Sequence, residues 1–334
     1  MTSNTPRHFE GEASGIPARK ASSSITPSDE EAASPGDSSA PPQDDEAHGP
    51  RRPAELFDAY IFDLDGTIYL GATPLPGAIR LIAALRDLGR RVLFVSNNPT
   101  RDRAEYVAKL SGMGIPVENG DIVNSVQTMV HWLCRHHPDA TVFPISEAPL
   151  RRALEAAGIR ISDEPSEIDF VIASYDRTFD YRKLQIAFDA IWFHKRARLI
   201  TTNPDRYCPF PGGRGEPDAA AIVAAIEACT GVRCEVNTGK PDPIMLNTAL
   251  DLLQLPADRC LMVGDRLSTD IRMARDAEMP SAVVLTGETT PAMLAMADER
   301  ERPDYVVERI DQLLPALIWD DLGWSDSGDR AEPL

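Results

Sequence analysis

Four short apolar runs recur along the chain, and each ends abruptly at small or polar residues. Tyr60-Ile61-Phe62 leads into Asp63, and Arg91-Val92-Leu93-Phe94-Val95 leads into Ser96. Leu261-Met262-Val263 leads into Gly264 and Asp265, and Ala282-Val283-Val284-Leu285 into Thr286. Runs this short and this continuously apolar fit strands covered on both faces, as in a parallel sheet. Between them, Ala78 to Leu88 and Pro243 to Leu253 carry apolar residues at helical spacing. The alternation predicts a Rossmann-like, doubly wound α/β core. In open sheets of this kind ligands bind beyond the carboxyl ends of the strands. Three of the runs deliver Asp63, Ser96 and Asp265 to that rim.

A long interval separates the second run from Lys240, and it has its own alternation. Strands are expected at Thr141 to Ile145, Phe170 to Ser174 and Arg198 to Thr202, and helices at Ala148 to Ala157 and Tyr181 to Phe193. The interval is long enough for a second α/β domain inserted into the first. The expected division is a core domain over 54–118 and 237–320, with the inserted domain over 119–236. After the insertion the chain returns to the core and ends with Tyr305-Val306-Val307 and a last helix near Ile310 to Ile318. Residues 1–53 are rich in Ser, Pro, Asp, Glu and Ala, with Phe9, Ile16 and Ile25 as large apolar residues. Such a segment buries too little surface to offset its ordering entropy, so a disordered acidic tail is expected. A flexible tail is also expected over 321–334.

Composition narrows the function classes. The formal net charge is −18, and residues 1–53 hold nine acidic and five basic side chains, which leaves −14 on the rest. A surface of that sign repels nucleic acid, and no Lys/Arg cluster offers a stripe to follow a phosphate backbone. No apolar run approaches the ~20 residues that span a bilayer. The start at Met1, Thr2, Ser3 and Asn4 has no secretory apolar stretch, so no membrane partner and a cytoplasmic location are expected. The five cysteines show no C-x-x-C spacing, which argues against a disulfide framework or a zinc cluster.

The chemistry sits in four motifs. In Asp63-Leu64-Asp65-Gly66-Thr67, two carboxylates two positions apart take separate roles if Gly66 turns the backbone between them. One attacks phosphorus; the other protonates the leaving oxygen and then activates water. A calcium loop is the bland alternative, but no carboxylate ladder or distal Glu follows. In Ser96-Asn97-Asn98, a hydroxyl and amide dipoles at a strand end suit phosphate oxygens. In Gly239-Lys240-Pro241, a lysine can neutralise charge on the nucleophile and the phosphoryl group. It is not a P-loop, because Pro follows the lysine where Ser or Thr is needed. In Gly264-Asp265-Arg266-Leu267-Ser268-Thr269-Asp270, Asp265 offers a hard oxygen to Mg²⁺ and Asp270 can orient it.

These four motifs, in this order, resemble the haloacid dehalogenase superfamily of phosphatases. The insertion between the second and third matches that superfamily's large α/β cap. Leu75-Pro76-Gly77-Ala78, Thr202-Asn203-Pro204-Asp205 and Leu285-Thr286-Gly287 narrow the resemblance to its NagD-like or 4-nitrophenylphosphatase-like branch, over residues 56 to 318. The resemblance implies an Mg²⁺-dependent hydrolase of small phosphate monoesters that works through a phosphoaspartate. Asp63 would be the nucleophile and Asp65 the general acid–base. Gly66, Thr67, Ser96, Asn97, Asn98 and Lys240 would bind phosphate. Asp63, the Asp65 backbone carbonyl, Asp265 and Asp270 would form the metal site. The expected partner is a small phosphorylated metabolite, and because relatives often dimerise through the cap, a homodimer is an open expectation.

The sequence departs from the branch at one place. A P-G-x-G run usually follows the cap's T-N-x-D, but here it reads Pro217-Asp218-Ala219-Ala220. Competing readings weaken on particular residues. A dehalogenase has no need of Asp65, a phosphomutase normally carries a different cap, and a non-enzymatic binding protein on this fold has no need to keep both Asp63 and Asp65. In the insertion, Tyr175, Asp176, Asn203, Asp205 and the loop Arg206 to Phe210 are candidates to face the substrate. His131, His136 and His137 are spaced poorly for a shared metal and read as packing or surface residues. Gly212-Gly213-Arg214-Gly215 reads as a flexible loop, since no buried strand precedes it.

Overall fold

A computed structural model describes residues 51–210 and 213–324. Most of the expected N-terminal tail, 1–50, and most of the C-terminal one, 325–334, lie outside the described residues. Six parallel strands form the first sheet, in the order Tyr305–Val307, Ser281–Val284, Cys260–Gly264, Ala59–Asp63, Arg91–Ser96 and Ile122–Asn124. Alternation along these strands explains why their sequences read as unbroken apolar runs. Tyr60, Phe62, Phe94 and Val263 face one side, where they join Leu81 and Leu85 of the helix Ala78–Asp87. Ala59, Ile61, Val95 and Met262 face the other, against Met245, Leu246 and Ala249 of the helix Pro243–Leu253. Both faces are covered, so no polar position survives inside a strand.

The strand Ala59–Asp63 is central, and the chain builds outward from it in one direction and then in the other. The order therefore reverses between Ala59–Asp63 and Cys260–Gly264, and a crevice opens at their carboxyl ends.

The second sheet is also parallel, in the order Val236–Asn237, Arg198–Thr201, Phe170–Ala173, Thr141–Ile145 and Arg160–Ile161. The helices Ser125–His136 and Ala148–Ala156 lie on one face, and Tyr181–Phe188 and Ala219–Thr230 on the other. An antiparallel hairpin, Tyr207–Phe210 with Arg214–Pro217, branches from this sheet. No helix among the described residues is long and apolar enough to cross a membrane.

Four expectations need adjusting. The strand Ile122–Asn124 pairs with Phe94–Ser96 in the first sheet, so the insertion begins beyond Asn124 and not at 119. Asn124 also caps the next helix, accepting from the Val126 and Gln127 N–H groups at 3.1 Å each. The expected helix Ile310 to Ile318 is two pieces, a 3₁₀ turn Ile310–Leu313 and a helix Ala316–Asp321. Pro315 separates them, because its ring and missing N–H cannot continue the first. The tail boundaries also shift outward, toward the two termini. Arg51 exchanges backbone hydrogen bonds with Val306 (2.7 and 3.1 Å), and Trp324 packs edge-on to Trp319 at 5.4 Å. His136 and His137 lie against Trp132, and His137 also against Phe170, which is a packing role.

Candidate active site

After Asp63 the backbone wraps around one carbonyl. Leu64 O accepts from the N–H groups of Thr67, Ile68 and Tyr69 (3.3, 2.9 and 3.2 Å). Gly66 takes φ +93°, and a Cβ there would lie 2.4 Å from Asp265 Oδ2, so only glycine fits the turn. Beyond the turn, the Tyr69 hydroxyl donates to Asp65 Oδ2 at 3.1 Å. Burial, opposed by Lys109 and reinforced by Asp63, raises the Asp65 carboxyl above its ordinary pKa.

Lys240 lies between two carboxylates. Its Nζ donates to Asp63 Oδ1 and, at 2.6 Å, to Asp270 Oδ1, and the side chain is 3% exposed. Burial disfavours the ammonium charge, but Asp270 and Asp63 outweigh it and hold the pKa above ordinary. The lysine backbone is clasped by Asn97, whose Oδ1 accepts from Lys240 N (2.7 Å) while its Nδ2 donates to Lys240 O (3.1 Å).

Several expected phosphate ligands also hold partners within the protein. The Asn97 amide is engaged with Lys240 at both ends. Asn98 Oδ1 accepts from the Thr100 N–H and hydroxyl (2.9 and 2.6 Å), while its Nδ2 points to Cys208 Sγ at 3.6 Å. Ser96 Oγ lies 3.0 Å from the Tyr106 hydroxyl. Ser96, Asn97, Asn98 and Lys240 line the cavity; Gly66 and Thr67 do not. Thr67 Oγ1 is buried without a hydrogen-bond partner.

Asp63, Asp265 and Asp270 each bring a carboxylate oxygen within 4.8 Å of the others. Asp265 Oδ2 accepts from Glu288 N at 2.8 Å, whereas Oδ1 is buried with no partner. Burial, with Asp63 and Asp270 alongside, pushes the Asp265 carboxyl up to about 8. Burial likewise lifts Asp270 to about 6 against the pull of Lys240. An orphaned carboxylate oxygen beside two more acids, all hard donors, fits Mg²⁺. The Asp65 side chain is outside this group.

The hairpin of the second sheet closes the crevice. The cavity is only ≈ 50 Å³, with Asp63, Asp65 and Lys240 on its floor and Asp205, Tyr207, Cys208 and Asp218 across from them. Of the cap candidates, Asp205 and the hairpin residues Tyr207 to Pro209 reach the cavity. Tyr175 instead donates to Glu216, and Asp176 pairs with Lys183 at 2.6 Å. Asn203 stands behind the lining, donating to Asp205 Oδ2 (3.2 Å) and Asp218 Oδ1 (3.0 Å). Burial pushes the Cys208 thiol up to about 12, which keeps it protonated and inert. Sequence reasoning assigned no role to Tyr69, Tyr106 or Arg266. Each acts through a partner chosen by the fold, and Arg266 alone carried a signal, standing inside the fourth motif.

A carboxylate turn, a strand-end serine, a lysine and a buried acid pair on one rim define a hydrolase class, and the sequence comparisons agree. Residues 60–160 match the family described as haloacid dehalogenase-like hydrolase, and residues 237–313 match the HAD-hydrolase-like family. The chain belongs to the haloacid dehalogenase-like hydrolases, in their NagD-like phosphatase branch.

Within that branch, the chain is 34% identical over 250 residues to the sugar-phosphatase AraL of Bacillus subtilis, covering 75% of this chain and 89% of the relative. The crystal structure of 4-nitrophenylphosphatase from Thermotoga maritima matches with a TM-score of 0.72 and 34% identity, over 77% of this chain and 96% of that one. The glycerol phosphate phosphatase of Mycobacterium tuberculosis, solved with magnesium, matches with a TM-score of 0.71 and 32% identity, over 78% and 77% of the two chains.

Proposed function

We propose that Asp63 is the nucleophile and Asp65 the general acid–base of this phosphatase, acting on small phosphate monoesters. The observation that carries the reading is Lys240 Nζ, buried between Asp63 and Asp270 and facing the cavity that Asp65 also lines. In the first step a carboxylate oxygen of Asp63 attacks phosphorus in line. The ester P–O bond breaks as Asp65 passes its proton to the departing oxygen, leaving a phosphoaspartate on residue 63. In the second step Asp65, now ionised, takes a proton from a water molecule that attacks phosphorus, and the bond to Asp63 breaks. Lys240 offsets negative charge through both steps, while Asn97 holds it in register. Asp63, Asp265 and the Asp65 backbone carbonyl would hold Mg²⁺, with Asp270 behind, and the bound ion would draw charge from the phosphoryl oxygens.

A 50 Å³ cavity is well below the roughly 300–1,000 Å³ of pockets that take drug-sized ligands, so the cap must open for substrate to enter. Sugar and glycerol phosphates, which the relatives' names suggest, are the first substrates to test. Phosphate release should require Mg²⁺, stop with EDTA, and fall at least about a thousandfold in Asp63→Asn. Undiminished turnover in folded Asp63→Asn would remove residue 63 from the mechanism.

A further inference from the structure

The floor of the cavity offers a phosphate the buried ammonium of Lys240; its roof offers carboxylates. Among the described residues lining the cavity, Arg266 is the one cation besides Lys240. Its Nε lies 3.0 Å from Glu288, and its Nη1 lies 3.7 Å from Asp205, so two carboxylates already share its charge. Asp218 makes no ion pair among the described residues, and Arg266 acts on its carboxylate only from beyond ion-pair distance. Both hydrogen bonds it accepts, from Asn203 Nδ2 (3.0 Å) and Ala219 N (2.5 Å), end on Oδ1. Oδ2 accepts none among the described residues. The residue is 3% exposed, and it is the N-cap of the helix Ala219–Thr230.

An ester bound with its phosphate at Lys240 must lay its leaving group against this roof. A second anion on that group would meet the carboxylates of Asp205 and Asp218, and Asp218 is buried, where charges are poorly screened. A hydroxyl in the same place can instead donate to the open oxygen of Asp218, a charge-assisted hydrogen bond.

We propose that Asp218, together with Asp205, is a specificity determinant that rejects esters whose leaving group carries a second negative charge and admits phosphates of neutral polyols. The inference rests on the phosphatase reading and adds discrimination by repulsion to it.

Glycerol 3-phosphate and 3-phosphoglycerate share a skeleton and differ in a hydroxymethyl against a carboxylate. With the full chain and Mg²⁺, kcat/KM for 3-phosphoglycerate should be at least about tenfold lower. Asp218→Asn and Asp218→Ser both keep a helix-capping side chain, and each should narrow that ratio several-fold. If one variant fails to fold, the other and Asp205→Asn carry the test. Equal kcat/KM for the two esters, or a ratio unmoved in the folded variants, overturns the proposal. A preference for 3-phosphoglycerate that Arg266→Gln abolishes also overturns it, because Arg266 would then be reading the second anion. Turnover of 4-nitrophenyl phosphate separates the two levels. If that ester is cleaved and the pair is not discriminated, only the selectivity falls; if no ester is cleaved, the phosphatase reading falls and takes this proposal with it.

Discussion

The carboxylate of Asp218 has a pH signature of its own. Burial, more than the opposing hydrogen bonds from Asn203 and Ala219, pushes it from an ordinary 3.8 up to about 6. Between those values the folded protein holds a proton there that the unfolded chain has released. Stability therefore declines as pH rises through that window, and the deficit persists above it. Asp218→Asn removes the ionisation and keeps the cap. Its melting temperature should exceed wild type at about pH 7, with the gain shrinking toward about pH 4. Thermal melts across that range check this, and a gain independent of pH would point to something other than the carboxylate. At this scale the sequence showed the acids and hid their partners. Asp63, Asp65 and Asp265 stand out as polar residues at the ends of apolar runs. The grip of Asn97 on Lys240 spans 143 residues and leaves no local trace.

Strand ends do the positioning, and close backbone approach makes it rigid. A Cβ on Gly287 would lie 2.0 Å from Asp265 Oδ2, and one on Gly264 would lie 2.3 Å from the Asp270 carboxylate. Gly287→Ala should thus displace Asp265 from the acid group, destabilise the fold by about 1–3 kcal/mol, and raise the Mg²⁺ concentration needed for half-maximal activity. Magnesium titrations of activity alongside thermal melts would check it; unchanged values in both would mean the loop yields freely. Strands buried on both faces were legible because nothing polar interrupts them. The strand Ile122–Asn124 was not, since three residues carry no period. The hairpin over the cavity contains Pro209, Gly215 and Pro217, which strands disfavour, so it read as loop. Pro315 was the available sign that Ile310 to Ile318 could not be one helix.

The chain passes between the two sheets twice, and both passages close on Asn97. At the first, the Ser125 hydroxyl donates to Asn97 O at 2.7 Å. At the second, Gly239 approaches so closely that a Cβ would lie 2.5 Å from Thr202 O and 2.7 Å from Asn97 Oδ1. Gly239→Ala should push these segments apart, lowering kcat more than it raises KM and destabilising the fold by roughly 1–3 kcal/mol. Steady-state kinetics on the best ester would test it, with a pure KM effect counting against the coupling. Two sheets joined by an insertion were readable from the length of chain between motifs, whereas the crossing contacts depend on how the sheets dock. The second passage also holds Lys240, whose ammonium pairs with Asp63. One stretch of chain thus serves two ends at once: the passage that ties the second sheet to the first also carries the ammonium set against Asp63, so the join between the domains and the charge balance of the site share the same few residues.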